Sequence, residues 1–498
     1  MEKLILCATV VGAAFAAVLT LYATNYSLHQ DLAGGVLSGR LALEMGARFD
    51  LYSAYFPPIE RFWYIIAAAW GGWTGVGLVN AIIVQTLFAV LISALLGFVI
   101  RQRTLGAGTA FFIVPFLLLL VLPILYKNIF GLREHLVILG LWPYLVLRAA
   151  GNKAINVGRG LRVLLGFWMG FTLLFKYLYS IVVFLIEVAD TVEHRRFLTL
   201  FRIETLVSAG VVFIYLLVWL GFNPAQLEAL SLMRGAIGAN LTDPAAALKA
   251  GFNVTGTGFV IWLLLFRFKI AQQQRLLGLA AVVGVVIVAW LQERWYTHHL
   301  FPVTMAFMAW WWMVGAALPK WLHILPAIVL AVPFQHQFAK TRDYQVRVLE
   351  VVDALEAAGI SLTDKRVGLL AQHPSPFNQV IAAQDGLRWT PLMNVPYVST
   401  ELKPFDTPQN RGQIPPAVAL DAPGARLLHG QLMSLWRDEP PDVLILDTSY
   451  QWPLHFLQFS WEQVLSEDPE FQEVFAAYEP VLTHDAALVT FTYYVRSN

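Results

Sequence analysis

Four short polar stretches interrupt an otherwise apolar sequence, and their side chains could do chemistry. Each holds a carboxylate or a cation that hydrophobic burial does not explain. A carboxylate can take a proton from an attacking hydroxyl group, and Arg or Lys can hold a phosphate leaving group. The stretches are HQD with Asp31, REH with Arg133, Glu134 and His135, KYLY with Lys176, and QERWYTHHLFP with Arg294, Tyr296, His298 and His299.

The two acidic stretches also have structural interpretations. Asp31 could cap a helix that begins at Leu32, because Asp is a preferred N-cap residue. Glu134 could form an ion pair with Arg133 or Lys127 at the membrane surface. Both interpretations stay open beside a catalytic role.

The cationic stretches have structural interpretations as well. Lys176 could extend to lipid phosphates, and His298 and His299 could be hydrogen-bonded to backbone at the interface. Two further acids, Glu187 and Asp190, lie near the end of a predicted helix, and we expect solvent to cover them.

The composition indicates an integral membrane protein. Of the 498 residues, 58% are hydrophobic and 13% are charged, whereas soluble domains carry about 25% charged residues. The net charge of +1 argues against a strongly basic surface for nucleic acid. The single cysteine, Cys7, excludes an intramolecular disulfide and a cysteine-rich metal site.

Apolar runs long enough to cross a bilayer predict about eleven transmembrane helices. We interpret the first run as an uncleaved helix rather than a signal peptide. The aromatic run 61–74 could instead lie in the interface. The predicted helices are 4–24, 75–100, 107–126, 135–149, 160–175, 177–192, 203–221, 254–270, 275–292, 300–318 and 321–338.

The distribution of Lys and Arg predicts the orientation of these helices. Cations concentrate in the loops that are cytoplasmic if the N-terminus is cytoplasmic. Eleven spans then leave the C-terminus outside. The four polar stretches fall on this outer side in short connections, so we expect them to face one cavity.

Near residue 340 the composition becomes polar, and 341–498 predicts a small α/β domain outside the membrane. A helical pattern ends at Gly359, and a second helix is predicted within WEQVLSEDPEFQEVFAAY. RVGLLAQH, PDVLILDTS, PVLTH and ALVTFTYYVR read as strands. The proline-rich part 391–423 predicts loops.

Three pieces of residues 1–340 resemble GT-C class membrane glycosyltransferases, which include protein O-mannosyltransferases and the aminoarabinose transferases of lipid A. In the first outside loop, 25–61, Asp31 is followed by the pattern G-x-x-x-D-L-Y-x-x-x-x-P-P, which contains Tyr52. Glu134 is similar to the family's second acid in a later loop. The third piece resembles R-x-Y-x-x-x-x-x-P and begins at Arg294.

The resemblance implies transfer of a sugar from a polyprenyl-phosphate carrier outside the cytoplasm. Asp31 would deprotonate the acceptor hydroxyl, and Glu134 would be a second catalytic acid. The residues implied for the donor phosphate are Arg294, Lys176, His298, His299 and Arg133, and those implied for the substrate are His135, Tyr52 and Tyr296.

The sequence thus predicts a mainly α polytopic protein of the bacterial inner membrane, with a GT-C-like domain and a periplasmic α/β domain. An envelope glycan, a lipid or a polysaccharide is the expected acceptor. The alternatives are a polysaccharide polymerase or ligase, a flippase or transporter of lipid carriers, and an active C-terminal domain on a membrane anchor. No cofactor is specified, and a divalent metal held by Asp31, Glu134 and a histidine stays open.

Overall fold

The computed structural model describes two compact units of the chain. The first comprises the described residues within 82–222 and 242–341, and the second those within 30–81 and 342–498. The described residues are 30–45, 58–106, 110–125, 129–195, 197–222, 272–292, 301–302, 305, 353–362, 364–370, 388–389, 430, 433–434, 436–447, 468–486 and 489–497.

The described part of the chain is mainly helical up to residue 292. Short 3₁₀ segments follow three of the helices, at Gly151–Asn156, Leu174–Tyr179 and Phe197–Phe201. The α-helices are α1 (Gln30–Met45), α2 (Pro58–Thr74), α3 (Leu78–Leu105), α4 (Ala110–Leu125), α5 (Arg133–Ala149), α6 (Arg159–Leu173), α7 (Ser180–His194), α8 (Ile203–Phe222), α9 (Gln272–Gln292) and α10 (Pro469–Phe475).

Among the described residues, two helical stretches are long and apolar enough to cross a membrane, namely Leu78–Leu105 and, counted across a break at Lys176, Arg159–His194. Of the roughly eleven predicted spans, the structure supports those that fall within these two stretches. The predicted helices 4–24, 254–270 and 321–338 lie outside the described residues, as does most of 300–318.

The 36-residue stretch Arg159–His194 is not one straight helix. Lys176 has non-helical dihedral angles, φ −153° and ψ 77°, within the 3₁₀ segment between α6 and α7. In a straight helix Arg162 and Glu187 would lie about 38 Å apart. Instead both side chains belong to one ion network described below. The chain therefore turns back at Lys176, and the predicted helices 160–175 and 177–192 are confirmed as separate helices.

Glycines allow close packing between α6 and α8. A Cβ atom at Gly166 would lie 2.5 Å from the Glu204 carbonyl oxygen, and one at Gly170 would lie 3.1 Å from the Ser208 Cα. The contact moves four residues towards the C-terminus on both helices, from Gly166 to Gly170 on α6 and from Glu204 to Ser208 on α8. The two helices therefore run in the same direction. The G-x-x-x-G spacing is the small-residue pattern by which membrane helices approach closely.

In the second unit, α1 packs on α2 through a similar pair of glycines. A Cβ at Gly35 would overlap the Tyr64 ring, and one at Gly39 would lie 2.5 Å from the Tyr64 backbone. The Tyr64 hydroxyl donates a hydrogen bond to the buried Glu60 carboxylate at 3.0 Å. This packing fixes the helix that carries Asp31.

The C-terminal residues form a five-stranded mixed sheet in the order β2-β1-β3-β5-β4. The strands β2, β1 and β3 are parallel, while β5 is antiparallel to both β3 and β4. The strands are β1 (Arg366–Leu370), β2 (Arg388–Trp389), β3 (Val443–Asp447), β4 (Tyr478–Ala486) and β5 (Val489–Arg496).

The predicted strands and helix ends of this region are confirmed. The four strands predicted from sequence correspond to β1, β3, β4 and β5. The helix expected to end at Gly359 does so: Gly359 has φ +76°, and the Ile360 N–H bonds to the Leu355 carbonyl, as in a Schellman cap. Of the second predicted helix, the described residues form α10, whose N-cap is Asp468, and 461–467 lie outside the described residues.

Candidate functional site

Side chains from three separate elements of the first unit meet at Lys176. Its ammonium nitrogen lies 2.5 Å from the Glu134 Oε1 and 2.7 Å from the Gln292 Oε1. We call Glu134, Lys176, Gln292 and the adjacent Tyr179 the Lys176 cluster.

The local folding of each element explains the convergence. Glu134 is the second residue of α5, where the helix dipole favours a negative charge. Gln292 is the last residue of α9. Lys176 lies at the turn between α6 and α7, and its extended backbone breaks the helix there. The cluster therefore forms where helix ends meet.

The charges of the Lys176 cluster compensate one another. The Glu134 side chain is 2% exposed and that of Lys176 is 13% exposed. Two isolated charges at this burial would cost several kcal/mol in desolvation, which a close ion pair offsets in part. The added amide contact of Gln292 satisfies a further donor of the ammonium group.

Two polar atoms in this cluster have no hydrogen-bond partner among the described residues. They are the hydroxyl oxygen of Tyr179, which is fully buried, and the Nε2 of Gln292. The Tyr179 hydroxyl lies close to the Gln292 amide, and their contact falls short of full hydrogen-bond geometry. A buried polar group left without a full hydrogen bond costs about 1–3 kcal/mol, so these two groups are available to a ligand that offers better geometry.

His135, expected to bind substrate, is held by the backbone. Its Nδ1 accepts a hydrogen bond from the Gly131 N–H at 3.0 Å, and its Nε2 donates to the Leu119 carbonyl at 2.9 Å. The ring is fully buried and packs on Phe130. Both nitrogens are occupied, so this geometry does not favour the predicted substrate role.

Asp31 is described through its backbone alone. It is the second residue of α1, which begins at Gln30. The alternative in which Asp31 caps a helix starting at Leu32 is not favoured, because the helix already includes Gln30 and Asp31. Arg133 is half-buried at the start of α5. The remaining predicted site residues lie outside the described part of the chain, namely Tyr52, Arg294, Tyr296, His298 and His299.

A second polar group, which we call the Arg148 network, is buried near the opposite ends of these helices. One terminal nitrogen of Arg148 lies 2.7 Å from the Glu187 carboxylate and 2.5 Å from that of Glu204. The hydroxyls of Tyr144 and Thr205 also donate to Glu187, at 2.6 and 2.9 Å. The network links α5, α7 and α8.

Two more arginines complete the charge balance of the network. Arg202 contacts Asp190 at 2.5 Å and Glu187 at 3.4 Å, and Arg162 of α6 lies 3.8 Å from Glu204. The exposed fractions of Glu187 and Asp190 are 1% and 7%. The expectation that solvent covers these two acids is therefore wrong, because arginines from other elements bury and neutralise them.

The two polar groups have different chemical capacities. Along α5, Glu134 and Arg148 are about 21 Å apart. In the Arg148 network three carboxylates face three guanidinium groups, so it can join helices but offers little to a ligand. Both groups hold buried polar atoms without a hydrogen-bond partner among the described residues, since the Arg148 Nε, the Asp190 Oδ2 and the Glu204 Oε2 share this property with the Tyr179 hydroxyl and the Gln292 Nε2. The Lys176 cluster is the candidate site because its cation is 13% exposed, whereas the Arg148 side chain is only 2% exposed.

Sequence reasoning missed Tyr179 and Gln292 as site residues. Tyr179 was visible as the aromatic residue one helical turn after Lys176. Gln292 is the first residue of the polar stretch QERWYTHHLFP, just before Glu293 and Arg294. Its position at the junction of an apolar helix and that stretch is the signal that could have found it.

The described residues hold no group of three or more His, Cys, Asp or Glu side chains suited to a metal ion. A divalent metal held by Asp31, Glu134 and a histidine stays an open alternative, because the Asp31 side chain is not described. Comparisons with protein-family models, with curated proteins and with solved structures found no match to this chain.

Proposed function

We propose that this chain is a polytopic membrane glycosyltransferase that moves a hexose or pentose from a polyprenyl-phosphate carrier to an envelope glycan, lipid or polysaccharide. The observation that carries the proposal is the meeting of Glu134, Lys176 and Gln292. Each comes from a different stretch that the sequence predicts on the outer face. A carboxylate, an ammonium and an amide together suit a polar sugar substrate.

The proposed reaction is a displacement at the anomeric carbon. The acceptor oxygen forms the new bond to that carbon, and its proton passes to the Asp31 carboxylate. The bond from the anomeric carbon to the phosphate oxygen breaks, and its electron pair leaves with polyprenyl phosphate. Attack opposite the leaving group inverts the configuration. Positioning and fixed charges supply most of the acceleration.

The cations of the last polar stretch hold the leaving phosphate in this proposal. Arg294 offers a two-pronged contact to phosphate oxygens, and His298 and His299 lie close to it in sequence. Glu134 is engaged with Lys176, so we assign it to orient that lysine rather than to take the proton.

The proposed setting is the bacterial inner membrane, with the N-terminus cytoplasmic and the C-terminal domain periplasmic. Leu78–Leu105 is long and apolar enough to cross a membrane as one helix, and the apolar stretch Arg159–His194 forms two shorter helices; both stretches support membrane insertion. The mixed sheet of the C-terminal residues is assigned to binding the acceptor or a partner.

The transfer reaction can be tested with the purified full chain in vesicles. The assay supplies polyprenyl-phosphate sugars and candidate acceptors and compares wild type with Asp31→Asn. We expect loss of a general base to slow transfer by about 100-fold or more. Glu44→Gln on the same helix is the control, because Glu44 is exposed and its one ion pair among the described residues is with Arg40 one turn away.

Two outcomes contradict the proposal. Full activity in Asp31→Asn would remove Asp31 as the base. Movement of a labelled lipid carrier across the vesicle membrane, without transfer of its sugar, would favour the flippase alternative.

A further inference from the structure

The Lys176 cluster has the chemistry of a sugar site more than that of a phosphate site. We propose that Tyr179 and Gln292, together with Glu134, bind hydroxyl groups of the transferred sugar. The inference rests on the proposed glycosyl transfer, and it names the part of the donor that this site holds.

The charge of Lys176 is already compensated before a ligand arrives. Its ammonium nitrogen lies 2.5 Å from a Glu134 oxygen, and Glu134 is 1% exposed. A phosphate that approached Lys176 would also approach this carboxylate, and the repulsion would cancel much of the attraction. The sequence-based assignment of Lys176 to the donor phosphate is therefore not favoured by its pairing.

The orientation of the Gln292 amide follows from its partner. Lysine can only donate hydrogen bonds, so the amide oxygen must face Lys176. The Nε2 group then points away from the ammonium. This Nε2 and the Tyr179 hydroxyl are the two buried polar atoms without a hydrogen-bond partner among the described residues of the cluster.

A sugar hydroxyl matches this set of groups because it both donates and accepts hydrogen bonds. It can accept from the Gln292 Nε2, and a neighbouring hydroxyl can donate to Glu134 or exchange a bond with Tyr179. None of these contacts requires a net charge at the site. The Lys176 side chain is 13% exposed, so the cluster reaches the surface at this residue.

Two ligands that differ only in the sugar separate this proposal from phosphate binding. Dissociation constants are measured on the full chain in lipid nanodiscs, for polyprenyl-phosphate sugar and for polyprenyl phosphate alone. We expect Tyr179→Phe and Gln292→Met to weaken binding of the first ligand roughly 3- to 10-fold, and to leave the second unchanged. Tyr177→Phe is the matched control, because its hydroxyl lies in the same 3₁₀ segment on a half-exposed residue.

Any other pattern of dissociation constants overturns the inference. Equal weakening for both ligands would make the cluster a phosphate site, and unchanged binding of both would leave Tyr179 and Gln292 with a packing role. Tyr179→Phe removes one oxygen atom and keeps the ring, so it remains informative if Gln292→Met fails to fold. If wild type binds neither ligand, the donor class in the proposed function fails as well. If wild type prefers the sugar-bearing ligand but the variants do not lose that preference, only the subsite fails.

Discussion

Lys176 and Glu134 lie 42 residues apart in the sequence, yet the lysine Nζ and the glutamate Oε1 are 2.5 Å apart. The contact depends on the break in helical structure at Lys176, which lets α6 and α7 fold back on one another. It brings the lysine to the first turn of α5. The ion pair therefore serves the fold and the candidate site together.

Removal of the lysine charge should destabilise the protein. Lys176→Met leaves the Glu134 carboxylate buried without its cation, and we expect a loss of about 3–5 kcal/mol in the free energy of unfolding. The double variant Lys176→Met/Glu134→Gln removes the stranded charge and should recover most of that loss. Unfolding midpoints of the purified protein in detergent provide the measurement. A double variant as unstable as the single one would mean that the pair is not coupled.

The Arg148 network should also be sensitive to the loss of one charge. Glu187→Gln weakens the contacts of Arg148 and Arg202, and it leaves the cation of Arg148 balanced by Glu204 alone. We expect a loss of about 3 kcal/mol, since the groups are buried. Thermal unfolding measured beside the exposed control Glu44→Gln checks this, and the control should change stability by less than about 0.5 kcal/mol. Equal midpoints for the two variants would contradict a structural role for the network.

Close packing of α6 on α8 predicts different effects for two glycines. Gly166→Ala would bring a Cβ within 2.5 Å of the Glu204 backbone oxygen, so the helices must separate. We expect a loss of about 1–3 kcal/mol from this overpacking. Gly210→Ala, on α8, meets no atom within 4 Å and should be neutral or stabilising by up to about 1 kcal/mol. If the unfolding midpoints of the two variants shifted by the same amount, the close packing of these helices would be contradicted.

Much of the local structure could be predicted because it depends on residues that lie close together in the sequence. Gly359 ends its helix in a left-handed conformation that glycine tolerates best. β3 lies within the predicted apolar stretch PDVLILDTS. The separation of α6 from α7 was also expected, because two apolar runs flank the polar Lys176.

Pairing between distant residues could not be predicted in the same way. Glu187 and Asp190 look like a solvated helix end in the sequence, because their partners Arg148 and Arg202 belong to other elements. An acid on a helix end has the same local pattern whether water or an arginine covers it. Only the packing of α5, α7 and α8 decides between them.

In the candidate site, too, some residues could be predicted from local sequence and others only from their neighbours in the fold. Glu134 and Lys176 stood out because a charge in an apolar chain is costly wherever it lies. Tyr179 and Gln292 are uncharged and common at the ends of apolar helices, so they became candidates only through the neighbours that the fold gives them.

The rate of sugar transfer by the double variant Lys176→Met/Glu134→Gln tests most directly whether the Lys176 cluster belongs to a transfer site. The measurement is the initial rate from a radiolabelled polyprenyl-phosphate sugar, normalised to folded protein and compared with wild type. We predict transfer by wild type and a loss of roughly 10-fold in the double variant, at an unfolding midpoint near that of wild type, because the cluster holds the transferred sugar rather than the reacting atoms. A double variant that transfers sugar at the wild-type rate would contradict the assignment of this cluster to the transfer site.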